Sequence, residues 1–167
     1  MVKYVALLRG INVGGKSLIS MRALANCFRE AGYEGVRTHI QSGNVLFASV
    51  SPGGADLEAA LERMLRQRFD TPIPTIVRSR DELAATIAAA PANHGSTELR
   101  SEVFFLKRQL TAAAVIAQLP ELREGVDSIS SGPGALDVPL VGGARSDERS
   151  QICPGKNAEF PLAGRPS

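Results

Sequence analysis

Residues Lys3 to Leu8 form a short, almost unbroken apolar run containing Val5, Leu7 and Leu8, and the run ends at Gly10 in a glycine-rich turn. A strand that carries apolar side chains on both faces needs cover on each, so it belongs in the middle of a sheet. Every later segment has to be read as something that can flank or cover it.

Past the turn, Ser20 is placed to cap a helix in which Met21, Leu24, Ala25 and Phe28 follow helical spacing, and Gly32 supplies its stop. Val36, Thr38 and Ile40 alternate with Arg37, His39 and Gln41, the mark of an edge strand, and a Ser42-Gly43-Asn44 turn leads back through Val45 to Ala48 as a hairpin. Ser51 to Gly54 is loop chemistry, followed by a helix with Leu57, Leu61, Met64, Leu65 and Phe69 on its buried stripe. Pro72 and Pro74 frame a short strand through Val77, and proline is tolerated at an edge or a strand start, where a missing amide leaves no gap in the ladder. The order strand, helix, strand, strand, helix, strand is the split plan of a ferredoxin-like α+β unit, expected over residues 1–78. In that plan the first and third strands are central and the second and fourth lie outside.

Ser79 and Glu82 make a capping-box pattern opening a helix with Leu83 and Ile87 that ends at Pro91. After a polar loop through His94 and Gly95, a strand is expected over Glu102 to Lys107, a helix over Thr111 to Leu119 and a strand over Val126 to Ser130, with Gly132-Pro133-Gly134 as a turn. Residues 79–136 thus read as a second, degenerate and incomplete α/β plait. From Asp137 to Ser167 periodicity fades and glycine and proline recur, so 137–167 is expected to be an irregular, poorly ordered tail.

A chain of 167 residues with 44% hydrophobic content can bury a core, and its net charge of +2 is a small excess that does not by itself predict a nucleic-acid partner. Cys27 and Cys153 are far apart and neither belongs to a CxxC or Cys/His cluster, so no disulfide framework is indicated and a reducing cytoplasm fits. The chain opens directly on its first strand, without a signal-peptide pattern, and no window reaches membrane-spanning length.

Gly10-Ile11-Asn12-Val13-Gly14-Gly15-Lys16-Ser17 satisfies the phosphate-loop pattern GxxxxGK[ST]. In that motif, glycines let backbone amides point at phosphate oxygens, the lysine neutralises charge and the hydroxyl holds magnesium. Its context disagrees. Leu18 and Ile19 intervene before the cap at Ser20, no later strand ends in the metal-binding aspartate, and the strand order is not that of a parallel nucleotide-binding sheet. Two readings stay open: a loop that binds an anion or other small ligand, and a turn whose glycines only satisfy positive φ.

Tyr4 to Lys16, Met21, Leu24, Val36-Arg37-Thr38 and Ile40-Gln41-Ser42-Gly43-Asn44-Val45 together resemble the family catalogued as domain of unknown function 1697. The resemblance implies a cytoplasmic, bacterial-type α+β protein with ferredoxin-like subdomains, and no particular activity, substrate or cofactor. Members of that family commonly carry other residues after the lysine, which makes the match at Ser17 a coincidence. They usually carry an aromatic at the position of His39, whose edge setting points its ring outward, towards ligand or water.

Ser42 is a poor nucleophile, since no GxSxG elbow surrounds it. His39, His94, Cys27 and Cys153 lack metal-ligand spacing, and Asp81 and Glu82 suit a helix N-terminus better than acid/base work. The third strand, Asn44 to Ser49, lacks the aromatic-glycine pattern of RNA-recognition sheets, and Arg63, Arg66 and Arg68 read as a solvated helix face. Two function classes remain. One is a protein that binds a small, anionic ligand through Arg9, Gly10, Asn12, Gly14, Gly15, Lys16, Gln41, Ser42 and Asn44, if both turns lie at one end of the sheet. The other is a non-enzymatic module that binds a protein or nucleic acid.

Family members generally continue through a tyrosine-bearing strand, a basic-polar turn, a helix and an arginine-asparagine-tryptophan segment. None of this follows Leu136, and the chain has no tryptophan. A reading-frame shift near Ala135 to Val138 is the expected cause, and it would leave apolar surface on Phe104 or Phe105 uncovered. Translating the other two frames of the gene should recover a strand-helix pattern there; its absence in both would refute the shift.

Overall fold

The computed structural model describes residues 1–12, 18–39, 43–92, 94, 99–118 and 129–141, with backbone only at 99–101 and 139–141. It is a mixed α+β protein built on antiparallel sheets. The first sheet contains β1 (Val2–Leu8), β2 (Glu34–His39), β3 (Asn44–Ser49) and β4 (Thr75–Ser79) in the order β2-β3-β1-β4. The apolar run is therefore central, as its composition requires, and the alternating and proline-led strands are the two edges. Tyr4, Ala6 and Leu8 are buried, while Val5 and Leu7 are half-buried, so the second face of β1 is covered only in part.

The helices α1 (Met21–Glu30) and α2 (Ala55–Phe69) supply Leu24, Phe28, Leu57, Leu61 and Leu65 to one core with Tyr4, Ala6, Val45, Phe47 and Val77. Phe47 is the centre of its aromatic part. Tyr4 stacks on it at 5.6 Å between centroids, Phe28 lies at 5.4 Å, and Tyr33 meets it edge-on at 5.0 Å, the offset and edge geometries that ring quadrupoles prefer. Ser20 caps α1, its hydroxyl accepting from the Ala23 amide at 3.1 Å. Cys27 is buried on this helix, and burial pushes its thiol pKa up, which disfavours the thiolate that reactivity needs.

The β4 edge is closed by carboxylates. The amides of Thr75, Val77 and Ser79 point away from β1, and they donate to Glu62 (2.8 Å), Glu58 (3.0 Å) and Glu82 (2.8 Å) respectively. Glu58 and Glu62 sit one turn apart on α2, so one helix face can reach alternate amides of the strand. Glu82 belongs to α3 (Arg80–Ala88), where with Ser79 it completes the capping box expected from the sequence. Burial alone would raise the Glu82 pKa, but the Ser79 amide and Arg108 outweigh it and hold it below the ordinary carboxylate range. An edge with its donors occupied cannot recruit another strand.

Each of the three carboxylates also meets a cation. Lys107 lies 2.6 Å from Glu62, Arg108 2.5 Å from Glu82 and Arg78 3.4 Å from Glu58. Arg78 is 2% exposed and Glu58 fully buried. The Arg78 guanidinium also donates to the carbonyls of Val77 (2.7 Å), Gly134 (2.9 Å) and Leu106, and it lies 5.8 Å from the Phe105 ring centroid. Burial pushes its pKa down, with Arg108 adding to the effect and Glu58 opposing it.

The Leu106 and Gly134 carbonyls adjoin the strands of the second sheet, β5 (Leu99–Phe105), β6 (Ser130–Gly132) and β7 (Ala135–Val141), ordered β5-β7-β6. Pro133-Gly134 turns β6 into β7, with Gly134 at φ 65°, a value suited to glycine; a Cβ there would stand 3.1 Å from Arg78 Nη2. The short helix α4 (Ala112–Ile116), capped by Thr111, places Val115 in a small core with Leu106 and Leu136.

The sequence reading differs from this half in its boundaries. β5 begins and ends earlier than Glu102 to Lys107, and α4 is shorter than Thr111 to Leu119. Of the strand expected over Val126 to Ser130, residues 126–128 lie outside the described residues. β7 continues through Asp137, where irregularity is expected, because strands on both sides hydrogen-bond it and Ala135, Leu136, Asp137 and Val138 are buried.

Arg78→Leu or Glu58→Gln each strands one member of the buried pair and should cost about 3–5 kcal/mol in denaturant unfolding. The double variant should cost clearly less than the sum, and additive losses would show that the two groups do not act as a pair.

Candidate functional site

β1 ends where β3 begins. Leu7 pairs with Asn44, and Arg9 continues the line by donating its amide to the Pro74 carbonyl at 2.9 Å. Gly10, at φ 78°, turns the chain out of the sheet, and Ile11 tucks back to 1% exposure. The chain then passes Asn12, whose side chain brackets the peptide of Ile19: Oδ1 accepts the Ile19 amide at 2.7 Å, and Nδ2 donates to the Ile19 carbonyl at 2.9 Å. Asn12 itself sits at φ 54°, a left-handed conformation that asparagine tolerates. This two-point clamp closes the glycine turn at its base and hands the chain to the Ser20 cap. Leu18, by contrast, is exposed.

The second turn meets the first at Gly43, which has φ 87°. A Cβ built there would lie 2.3 Å from Cδ1 and 2.8 Å from Cγ1 of Ile11, with Leu8 Cβ at 3.3 Å. Only a residue without a side chain lets the Gly43 backbone rest on Ile11 in that conformation. Ile11, just past the first turn's opening glycine, and Gly43, in the second turn, therefore touch at one end of the first sheet.

Of the predicted site residues, Arg9 and Gly10 lie exposed at this end, Asn12 and Asn44 are half-buried beside them, and Asn44 pairs across the sheet with His39, which is exposed. Gly14, Gly15, Lys16, Gln41 and Ser42 lie outside the described residues, as does Ser17. The structural use of the Asn12 amide was not legible in the chain, because the clamp spans the turn to Ile19 and carries no local pattern. Among the described residues no group of three or more His, Cys, Asp and Glu side chains could hold a metal ion.

The family model described as a protein of unknown function, DUF1697, matches residues 1–136. The chain belongs to that family. The match takes in both turns and ends at Leu136, before the close of β7. Among solved structures the chain is similar to a conserved bacterial protein from Streptococcus pneumoniae, at a TM-score of 0.76 and 25% sequence identity, over 90% of this chain and 82% of that one. No curated protein matches the chain. Neither description names a reaction or a ligand, so the functional reading of this family member rests on its own residues.

Gly43→Ala should destabilise the protein by about 2–3 kcal/mol, combining overpacking against Ile11 with left-handed strain. In an Ile11→Ala background the further cost of Gly43→Ala should fall to about 1 kcal/mol, the strain alone. Equal costs in the two backgrounds, measured by chemical unfolding, would separate the turns.

Proposed function

We propose that this protein binds a small anionic ligand at the end of its first sheet, in the angle between the Gly10–Ser17 and Ser42–Asn44 turns. The observation that carries the reading is the contact of Gly43 with Ile11, which makes neighbours of two polar turns far apart in sequence. Around such an angle, backbone amides of Gly14 and Gly15 would donate to anion oxygens, with Arg9 and Lys16 supplying charge and Gln41, Ser42 and Asn44 supplying polar selectivity. The donor set suits recognition more than bond-breaking, because it contains no nucleophile paired with a base. The Asn12 clamp would hold the residues on either side of the loop together, lowering the ordering cost of binding. We further read the first unit as a ferredoxin-like plait spanning 1–78, the second as an incomplete plait spanning 79–136, and the protein as cytoplasmic. The strand order β2-β3-β1-β4 supports the plait reading of the first unit, and no helix among the described residues is long and apolar enough to cross a membrane.

A second reading is an interaction module that uses the partly covered face of the first sheet. Leu46 is 46% exposed there, with Lys3, Arg37 and His39 also exposed. Such a mixed basic and apolar face suits a protein or nucleic-acid surface.

A thermal-shift screen with nucleotides and phosphorylated metabolites tests the first reading. A ligand at a hundredfold its Kd should stabilise the fold by about 2.7 kcal/mol, and Lys16→Ala should lose most of that gain. Failure of every anion to stabilise the wild type, or an equal response of the variant, rejects the loop site. Nucleic-acid binding that weakens steeply with salt would favour the second reading.

A further inference from the structure

A cavity of about 530 Å³ lies between α3 and the second sheet, and a serine, a histidine and an aspartate meet at its wall. Two of the three are placed by strand pairing. Ser130 on β6 and Asp137 on β7 are direct register partners, so their side chains leave the same face of the sheet, with Cβ atoms about 4.5–5.5 Å apart in such a pair. His94, from the segment after α3, brings Nδ1 to 2.6 Å from Asp137 Oδ2. The rest of the lining is mostly apolar, with Leu83 and Ile87 from α3 and Val103 and Phe105 from β5. Ile87 is 75% exposed, so the cavity opens to solvent along α3.

Burial sorts the three residues by role. Both Asp137 carboxylate oxygens are shielded from solvent, so this group has nothing to offer a ligand and can act only through the imidazole beside it. Two such atoms at 2.6 Å need a proton between them, which assigns that proton to Nδ1 and leaves Nε2 as the nitrogen able to accept another. The contact is close without yet being aligned as a hydrogen bond, a looseness common at acid–base sites before substrate binds. The His94 side chain is 33% exposed and Ser130 is half-buried, so base and hydroxyl can reach a bound molecule that Asp137 cannot.

We propose that this cavity hydrolyses esters of small apolar acids, with Ser130 as nucleophile, His94 as its base and Asp137 positioning the imidazole. His94 Nε2 takes the Ser130 hydroxyl proton as Oγ bonds to the ester carbonyl carbon. It then gives that proton to the alcohol oxygen as the carbon–oxygen bond breaks, which leaves an acyl-serine. Water attacks the acyl carbon and loses a proton to Nε2, and that proton returns to Oγ as the acid departs. The net change is ester plus water giving acid plus alcohol. Among the described residues β6 pairs only with β7, and amides on its unpaired edge are the kind of donor that stabilises the oxyanion of such a reaction. The volume is in the range of small-molecule pockets, and the acyl chain would pack against Leu83, Ile87 and Phe105. The lining shares no residue with the glycine turns, and Asp137 lies just past the family-matched span, so the site is argued from this chain alone.

Hydrolysis of p-nitrophenyl butyrate by the full chain, with covalent labelling by a fluorophosphonate located by peptide mass spectrometry, tests the site. The wild type should be labelled at Ser130 and should favour the butyrate over the acetate ester by at least about tenfold in kcat/KM. Ser130→Ala should remove the labelling and nearly all turnover, whereas Ser131→Ala, at the exposed neighbouring position, should keep both. His94→Gln should lower kcat/KM by about 10²–10⁴-fold. Asp137→Asn should lower kcat with KM unchanged, as expected of a group that acts through the imidazole; a raised KM with kcat intact overturns its positioning role. No labelling, labelling confined to another residue, or undiminished turnover by Ser130→Ala or His94→Gln overturns the proposal. Equal kcat/KM for the two esters overturns the assignment of the apolar walls to the acyl chain. If Asp137→Asn does not fold, the Ser130 and His94 variants decide the question.

Discussion

The buried guanidinium of Arg78 is the joint on which the two halves of the chain depend. It leaves the β4 edge, meets Glu58 from α2, and donates to carbonyls at the end of β5 and in the β6–β7 turn. A planar group with five donors in a fixed fork can satisfy several separated acceptors at once, which an ammonium on a flexible stem does less well. Around it, Lys107 and Arg108 repeat the pairing at Glu62 and Glu82, so three carboxylates face strand amides on one side and cations on the other. The seam solves two problems together. It closes the exposed edge of the first sheet and fastens the second sheet to it.

The first half of the fold was legible because its signals are local. Ser20, the stripe from Leu57 to Leu65, the alternation after Val36 and the Ser79-Glu82 box each act within a few residues, and their edge and centre assignments agree with one another. The second half was legible only in outline. Its small core of Leu106, Val115 and Leu136 takes one residue from each of three separate stretches, so periodicity within any one of them is weak. β7 illustrates the limit: Asp137 and Pro139 interrupt its apolar pattern, and pairing with β5 and β6 makes it a strand all the same.

The same distinction holds at the site. Glycines at Gly10 and Gly43 announce turns, and the resemblance of both motifs to one family suggests a shared purpose, but nothing local says that Gly43 rests on Ile11. The approach is a tertiary fact, set by the Leu7–Asn44 register and by the lack of a Cβ. Likewise, the phosphate-loop spelling from Gly10 to Ser17 is a local pattern whose usual context is a parallel sheet. An antiparallel sheet carries it here, and Asn12 fastens the turn to Ile19 before the helix begins at Met21. In a phosphate loop the helix N-terminus itself faces the anion; here Asn12 is bonded to Ile19, and Ser20 caps the helix with its own hydroxyl.

Arg78 also determines how independent the glycine turns are of the cavity between α3 and the second sheet. The Gly134 carbonyl it holds begins β7, the strand that carries Asp137, and Phe105 beneath its guanidinium is a wall of the α3 cavity. Loss of that group would disturb the cavity directly. The turns at Gly10 and Gly43 lean instead on Ile11, Leu8 and the β1–β3 register, none of which Arg78 touches through its hydrogen bonds. Damage at the seam should therefore reach the cavity before it reaches the glycine turns, because local openings follow the contacts that hold each unit closed.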